Sequence, residues 1–385
     1  MPWKEWSVMS LRWEFVRLAC EPGANISALA RQFGISRTCA YKWLERYRQS
    51  GKAGLEDRSR RPHISPRSTS WDEEMAILIV RTEHPDWGGR KIRAFLVNHG
   101  QTSVPSASTI TQILRRHGCL DEAECLKHKH HVRFEREQPN ELWQMDFKGY
   151  FLGGGGKVHP LDVLDDHSRY CLCLRASTDQ KTGTVRVALE DTFRENGLPE
   201  SILCDNGSPW GDERKTPHTR IGVWLMRLGV KVIHGRPYHP QTQGKLERFH
   251  LTLDREAIRG YCLESWEWQA HFDRFRWMYN TERPHEALGD QPPATRYRPS
   301  ERVFPEALPP VVYDEGNIVR MVDEKGIFHW RGLRWRLSKA FVRQPIALRP
   351  SETDGYYDII YAAFKVSSVD LRTPGKTVNH VSERL

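Results

Sequence analysis

Acids stand at three places in this chain where an acid is unusual. Asp146 sits inside Trp143-Gln144-Met145-Asp146-Phe147, a strand-like stretch that is otherwise mostly apolar. Asp205 ends the apolar run of Ile202, Leu203 and Cys204 and opens Asp205-Asn206-Gly207-Ser208, while Glu247 lies in the first turn of a helical stretch, Lys245-Leu246-Glu247-Arg248-Phe249-His250. A carboxylate in apolar surroundings is costly unless something compensates its charge, so Asp146 in particular needs an explanation. A second group, Cys119, Cys125, His128, His130 and His131, falls within thirteen residues and contains the side chains that hold zinc. Its spacing matches no zinc-ligand pattern, and a polar connector is the better reading. A third group is polar and basic: Arg37, Thr38, Lys42 and Arg46 lie where a recognition helix faces the major groove of DNA.

Each group needs elements to position it. At the front, Leu11, Phe15, Val16 and Leu18 follow helical spacing, with Ser10 as the expected N-cap. The segment from Ile26 to Arg37 reads as a short helix, a glycine turn and the cap of a third helix over Arg37 to Arg48. This is a helix-turn-helix pattern, in which Ala30 is small at the helix crossing, Gly34 suits a left-handed turn and Ile35 fills the space beneath it. Trp43, Leu44 and Tyr47 supply apolar packing for the third helix. Residues 55–70 are basic and broken by proline, which predicts a linker. Its Arg58, Arg60 and Arg61 could lie in a minor groove or form a simple charged tether. Three more helical stretches, led by Asp72, Gly89 and Ser106, resemble a second helix-turn-helix unit, with Thr109, Gln112, Arg115 and Arg116 polar or basic on its last helix.

The acids fall in a region of different pattern. Strand-like stretches at 143–147, 157–165 and 169–176, separated by the Gly153–Gly156 turn, predict three antiparallel strands. A helix over Leu189 to Asn196, a buried strand from Ser201 that carries Asp205 at its C-terminal end, a helix from Thr219 to Leu228 and a short strand from Val230 to His234 follow. The loop His239-Pro240-Gln241-Thr242-Gln243-Gly244 leads into the helix that bears Glu247. Six prolines between Pro292 and Pro310 suggest a linker, and strand-like stretches after Val311 suggest a small β-barrel. In that tail Trp330, Arg331, Arg334, Trp335 and Arg336 alternate aromatic and basic, which fits DNA backbone contact, a structural cap or a subunit interface.

The strand W-Q-M-D-F, the strand end C-D-N-G-S and the helix start H-P-Q-T-Q-G-K-L-E-R-F-H, in that order, resemble the catalytic core of bacterial insertion-sequence transposases of the retroviral-integrase superfamily. The segment Y-N-T-E-R-P-H at 279–285 resembles the ending of that core, and the resemblance covers roughly residues 133–300. It implies a ribonuclease-H-like α/β core with an Asp-Asp-Glu triad on Asp146, Asp205 and Glu247. The separations are 59 and 42 residues, and the second is longer than the family's usual spacing, which places a loop insertion within Pro209–Pro217. The implied cofactor is a pair of Mg²⁺ ions, or Mn²⁺ in their place, held by the three carboxylates with Asp146 bridging. Hard divalent ions take carboxylate oxygen and assist in-line displacement at phosphorus. Lys245 is expected near the triad as a DNA phosphate contact, and His239 and Gln243 as loop residues that could touch the DNA end. Asp166, in the polar cluster Asp165-Asp166-His167 with Arg169, is expected to be structural and outside the triad.

Composition bounds what remains. The 385 residues include 14 Trp and are 38% hydrophobic, without any apolar run long enough for a membrane helix. The eight cysteines form no C-x-x-C pair and the front of the chain lacks a secretory pattern, so a reduced, cytoplasmic and nucleoid-associated location is expected. Of the net charge of +9, residues 1–70 hold 13 Lys+Arg against 6 Asp+Glu, and such a concentrated basic module points to a polyanion. The expected organisation is a helix-turn-helix domain at 1–54, a basic linker at 55–70, a second such domain at 71–120, a connector at 121–139, the α/β core at 140–291, a Pro-rich linker at 292–310 and a β domain at 311–385. The expected function is a DDE-type DNA transposase that binds double-stranded terminal repeats and target DNA as a homo-oligomer, with no membrane or small-molecule partner. Two alternatives stand beside it: a helix-turn-helix regulator with an inactive core, and a ribonuclease or repair nuclease on the same fold.

Overall fold

The computed structural model describes residues 8–58, 69–120, 135–205, 207–211, 218–234, 244–373 and 377–384. The chain forms two compact units, Met1–Ser68 and Thr69–Leu385.

The first unit packs α1 (Val8–Ala19), α2 (Ile26–Gln32) and α3 (Arg37–Ser50) around Phe15, Val16, Ala30, Ala40, Trp43 and Leu44. Asn25 caps α2 by accepting from the Ser27 and Ala28 N–H groups, and Ser36 caps α3 through the Cys39 N–H. Such caps satisfy donors that a helix leaves unpaired at its start. Gly34 has φ +65°, the left-handed turn its type suggests. Ser10 is not a cap: α1 starts at Val8, because the apolar pattern continues past it. After α3 a 3₁₀ turn, Gly51–Leu55, tucks Leu55 into the core. A Cβ on Gly54 would stand 2.1 Å from the Arg46 carbonyl oxygen, so only glycine fits that crossing.

The second unit begins with α4 (Trp71–Glu83), α5 (Gly89–Asn98) and α6 (Ala107–Arg116), with a Ser70–Glu73 capping box at the start of α4 and Ser106 capping α6. Their core, including Ile77, Trp87, Ile92 and Ile110, also takes in Met278 from the last core helix.

The central sheet comprises β1 (Trp143–Phe147), β2 (Phe151–Gly153), β3 (Gly156–Asp165), β4 (Cys171–Ser177), β5 (Ser201–Cys204) and β6 (Lys231–His234). β1 pairs antiparallel with β3, as do β2 and β4, whereas β1 with β5 and β5 with β6 are parallel. Four antiparallel strands, of which β2 is a three-residue extension beside β3, are thus followed in the chain by two parallel ones, which fits the ribonuclease-H-like core expected from the sequence. Helices α7 (Thr182–Asn196), α8 (Arg220–Arg227), α9 (Gly244–Leu253) and α10 (Trp268–Thr281) complete the core. α7 starts seven residues earlier than expected, because Val185 and Ala188 continue the buried face of Leu189 and Phe193.

The segment read as a Pro-rich linker instead lies against the core. Arg302 donates to the carbonyls of Pro199, Leu228 and Gly229, Ser300 N–H donates to Asn196 O, and Phe304 joins the sheet's core. Its prolines remove backbone donors, but the remaining polar groups find partners on the turns they cross.

The expected barrel is corrected. Strands β7 (Ile318–Met321), β10 (Pro345–Pro350), β11 (Tyr356–Tyr361), β12 (Phe364–Asp370) and β13 (Thr377–Arg384) form an open antiparallel sheet, while β8 (Ile327–Trp330) and β9 (Leu333–Arg336) form a separate hairpin. Among the described residues β7 and β13, the sheet's two edges, do not pair, so the sheet is not closed into a barrel. This sheet shares its core with Val223 and Met226 of α8.

Candidate active site

Alternation along β1 sorts its side chains onto two faces. Trp143, Met145 and Phe147 join the core built with Phe193, Trp224 and Leu225 of α7 and α8. Gln144 and Asp146 therefore face the other side, where Leu164, Leu246, Phe249 and Phe272 form the core under α9 and α10. Register places Asp146 directly opposite Asp162 of β3. Cross-strand partners share a face, so two acids lie side by side on it.

Asp146 is half-buried, and its Oδ1 accepts the Phe147 N–H at 2.8 Å. Burial pushes its pKa up to about 7, the Asp162 charge adds to the rise, His250 and the Phe147 N–H oppose it, and Asp205 contributes a further upward push. Asp162 is fully buried; its Oδ1 meets His250 Nε2 at 2.8 Å, and its Oδ2 has no hydrogen-bond partner among the described residues. Burial lowers the His250 pKa, but the Asp162 carboxylate more than offsets this and the net shift is upward.

Asp205 follows β5 directly, and β5 lies beside β1 in parallel, so both acids stand toward the C-terminal ends of neighbouring strands. That is where open α/β sheets place their ligands. The Asp205 Oδ1 accepts the Gly207 N–H at 3.0 Å and its backbone carbonyl meets His234 Nδ1 at 3.0 Å. A Cβ at position 207 would come within 2.9 Å of the Asp205 carboxylate and displace it from this position.

Glu247 is exposed in the first turn of α9, one turn before His250. Residues three apart on a helix are surface neighbours, which puts Glu247 beside the side chain that reaches Asp162. The structure thus brings Asp146 and Asp205 into electrostatic contact and Glu247 onto the covering helix. Among the described residues no group of three or more His, Cys, Asp or Glu is drawn into metal-holding geometry. The donor set nonetheless suits a hard cation: it is carboxylate oxygen, it carries more negative charge than its surroundings compensate, and one buried oxygen is unpartnered.

Lys245 is drawn inward rather than outward. Its Nζ pairs with the Asp166 carboxylate and donates to Asp166 O at 2.9 Å, and burial together with the Arg169 charge pushes its pKa down to about 8. Asp166 also accepts the Gln144 amide at 2.6 Å, and Asp165 accepts Asn140 N–H and the Ser168 hydroxyl and N–H. This cluster ties β1, β3 and α9 together. His239 and Gln243 lie outside the described residues, as do Cys125, His128, His130 and His131.

On α3, Arg37, Thr38 and Lys42 are exposed, and Arg46 is half-buried with its guanidinium 5.0 Å from the Trp43 ring. Arg58 is exposed, whereas Arg60 and Arg61 lie outside the described residues. In the tail, Trp330 and Trp335 belong to the core, leaving only Arg331, Arg334 and Arg336 at the surface.

Two residues of this site, Asp162 and His250, were not singled out from the sequence. Asp162 repeats the signal of Asp146, an acid inside an apolar strand, but only register shows that the two are neighbours. A second charged centre was also missed. Glu256, past the end of α9, accepts from Arg283 at 2.9 Å, from Lys91 at 3.3 Å and from Trp87 Nε1 at 3.4 Å, joining the second helical module to the core. Burial pushes its pKa up, but the Arg283 and Lys91 charges outweigh this and hold it at about 2.

Residues 136–240 and 228–293 match the integrase core domain, and residues 317–377 match the C-terminal domain of the IS481 family transposases. Residues 12–63 match a helix-turn-helix domain and residues 39–114 a homeodomain-like domain. The chain is 24% identical to the putative transposase for insertion sequence element IS5376 of Geobacillus stearothermophilus, over 94% of this chain and 88% of that protein. It is 34% identical over 115 residues to the Gag-Pro-Pol polyprotein of Mason-Pfizer monkey virus, covering 30% of this chain but only 6% of the polyprotein. A solved structure of the HTLV-2 integrase catalytic core domain in complex with magnesium is distantly similar, at 13% identity and TM-score 0.33, with 42% of this chain and 99% of that one covered. Among the described residues no helix is long and apolar enough to cross a membrane.

Proposed function

We propose, from the premise that the chain is an insertion-sequence transposase with helix-turn-helix and integrase core domains, that it cuts DNA at the ends of its element and joins them to target DNA. Asp146, Asp205 and Glu247 are the proposed catalytic carboxylates. The observation that carries this reading is the placement of Asp146 on β1, directly opposite Asp162 and beside the parallel strand that ends at Asp205, where burial and these neighbouring carboxylates push its pKa up. An acid perturbed by burial and by like charges beside it is a functional-site candidate.

Divalent cations bound here, Mg²⁺ or Mn²⁺ and two per site, would polarise the scissile phosphate and offset charge that develops on it. The chain's own residues have defined tasks. The Phe147 and Gly207 N–H groups orient the two aspartates, and His250 holds Asp162 beside them. Water attacks the phosphorus at the element end and loses a proton as the bond to the 3′ oxygen breaks, leaving a 3′-hydroxyl on the element and a 5′-phosphate on the flanking strand; that hydroxyl then attacks a target phosphate, forming the new phosphodiester as the bond to the target strand's own 3′ oxygen breaks and that oxygen takes up a proton. Arg37, Thr38, Lys42 and Arg46 of α3, with the arginines at 58, 60 and 61, are the proposed contacts to terminal repeats. Both ends must be handled together, so at least two copies act on paired DNA, within the nucleoid.

The test is cleavage of duplex oligonucleotides that carry the element's ends, with Mg²⁺. Asp205→Asn and Glu247→Gln should lose cleavage by several orders of magnitude and keep DNA binding, since ~1.4 kcal/mol of barrier is tenfold. Binding without cleavage by the unaltered protein would instead identify a regulator with an inactive core.

A further inference from the structure

The polar contacts between α9 and the sheet form three rungs. Lys245 engages Asp166, which also holds Gln144; His250 engages Asp162, the register partner of Asp146; and Asp254, just past α9, meets Lys148 Nζ at 3.2 Å. Lys245 and His250 reach the sheet through Asp166 and Asp162, which hold Gln144 and stand opposite Asp146, and Asp254 reaches Lys148 itself. The order Gln144, Asp146, Lys148 along the strand is thus the order Lys245, His250, Asp254 along the helix, so α9 runs alongside β1 in the same direction. A slip of one residue would shift the helix by about 1.5 Å and turn it by about 100°, breaking all three rungs.

The outer rungs are Lys–Asp pairs; the middle one is different. Asp162 is wholly buried, and an unpaired carboxylate in that position would be expensive. His250 relieves it through one directional contact from Nε2, and lies about 60° around the helix from Glu247. The apolar side chains of α9, Leu246, Phe249 and Leu253, bury the helix but are non-directional and tolerate small sliding.

We infer that Asp162 and His250 are positioning residues whose contact fixes the height of α9 along β1 and so holds Glu247 level with Asp146. This rests on the reading of Asp146 and Glu247 as cation-holding carboxylates.

The test is calorimetric titration of Mn²⁺ into the full-length protein, alongside cleavage of element-end DNA. The contact is made by Nε2, which a glutamine amide reproduces and the shorter asparagine amide does not. His250→Gln should therefore bind Mn²⁺ within about threefold of the unaltered protein, while His250→Asn should bind about tenfold more weakly and cleave correspondingly more slowly, with DNA affinity unchanged. Charge alone predicts the opposite sign, since losing a cationic imidazole beside carboxylates tightens cation binding, equally in both variants. Equal or tightened affinity in the two variants overturns the positioning role. Glu247→Gln is the control: if it leaves Mn²⁺ affinity intact, the reading of the triad fails; if it weakens binding and the two His250 variants still match each other, only this inference fails.

Discussion

Asp146 and Glu256 stand on the same side of the central sheet, are both largely withdrawn from water, and are displaced in opposite directions, one to about 7 and the other to about 2. Burial raises both. What differs is the company: Glu256 has Arg283 and Lys91, whereas Asp146 has Asp162 and Asp205. The first is a complete structural joint, in which charge is balanced by charge and the second helical module is fixed to the core. The second is an incomplete arrangement whose excess negative charge suits a bound cation. Lys91 itself is pushed down to about 8, because burial and the neighbouring Arg283 outweigh the attraction of Glu256.

The contrast can be broken at either residue. The largest expected effect is on chemistry: Asp146→Asn should reduce cleavage at least a thousandfold, more than ~4 kcal/mol of barrier, while Glu256→Gln changes the rate per folded molecule far less. Single-turnover cleavage rates on the two variants measure this, and similar losses from both would erase the distinction.

Next comes stability. Removing one partner from a buried ion pair costs about 3–5 kcal/mol, so Glu256→Gln should lower the urea midpoint strongly at pH 7. Because the folded pKa lies below the unfolded one, this contribution is present above about pH 4.5 and fades as pH falls toward 2. A variant as stable as the parent at pH 7 would show that the joint is weak.

The smallest effect has the opposite sign. Asp146 has a folded pKa above its unfolded value of 3.8, so its favourable contribution is complete below that value and is lost as pH rises through about 7. Asp146→Asn should consequently stabilise the metal-free protein at pH 8, on the order of 2 kcal/mol after allowance for partial exposure and coupling to Asp162, with the gain gone below about pH 4. Thermal unfolding in chelator at both pH values reads it directly. A loss of stability at pH 8 would mean that the Asp146 charge is already compensated.

Much of this was legible in the sequence. The helix-turn-helix caps, the antiparallel strands and the strand end at Asp205 follow from local patterns that need no tertiary information, and the order of three motifs pointed to the core. What was hidden depends on register or closure. The Asp162–His250 contact joins residues 88 apart and exists only because β1 pairs with β3 in one register. Strand composition in the tail reveals strands but not whether their edges meet, which is how an open sheet was expected to be a barrel. Prolines at 292–310 signal the loss of helix and sheet, yet say nothing about whether the chain then crosses solvent or, as Arg302 and Phe304 show, the core. Ser10 failed as a cap because a serine inside a continuing apolar pattern is simply part of the helix.

The central claim, that cations held at Asp146 and its neighbours act on the scissile phosphate, is tested most directly by replacing a non-bridging oxygen of that phosphate with sulfur. Sulfur binds Mg²⁺ poorly and softer ions better. The account predicts that one diastereomer of the phosphorothioate substrate is cut slowly with Mg²⁺ and is restored by Mn²⁺, with neither ion supporting cleavage in Asp146→Asn. Equal cleavage of both diastereomers in Mg²⁺, or metal-dependent cleavage that survives Asp146→Asn, would contradict it.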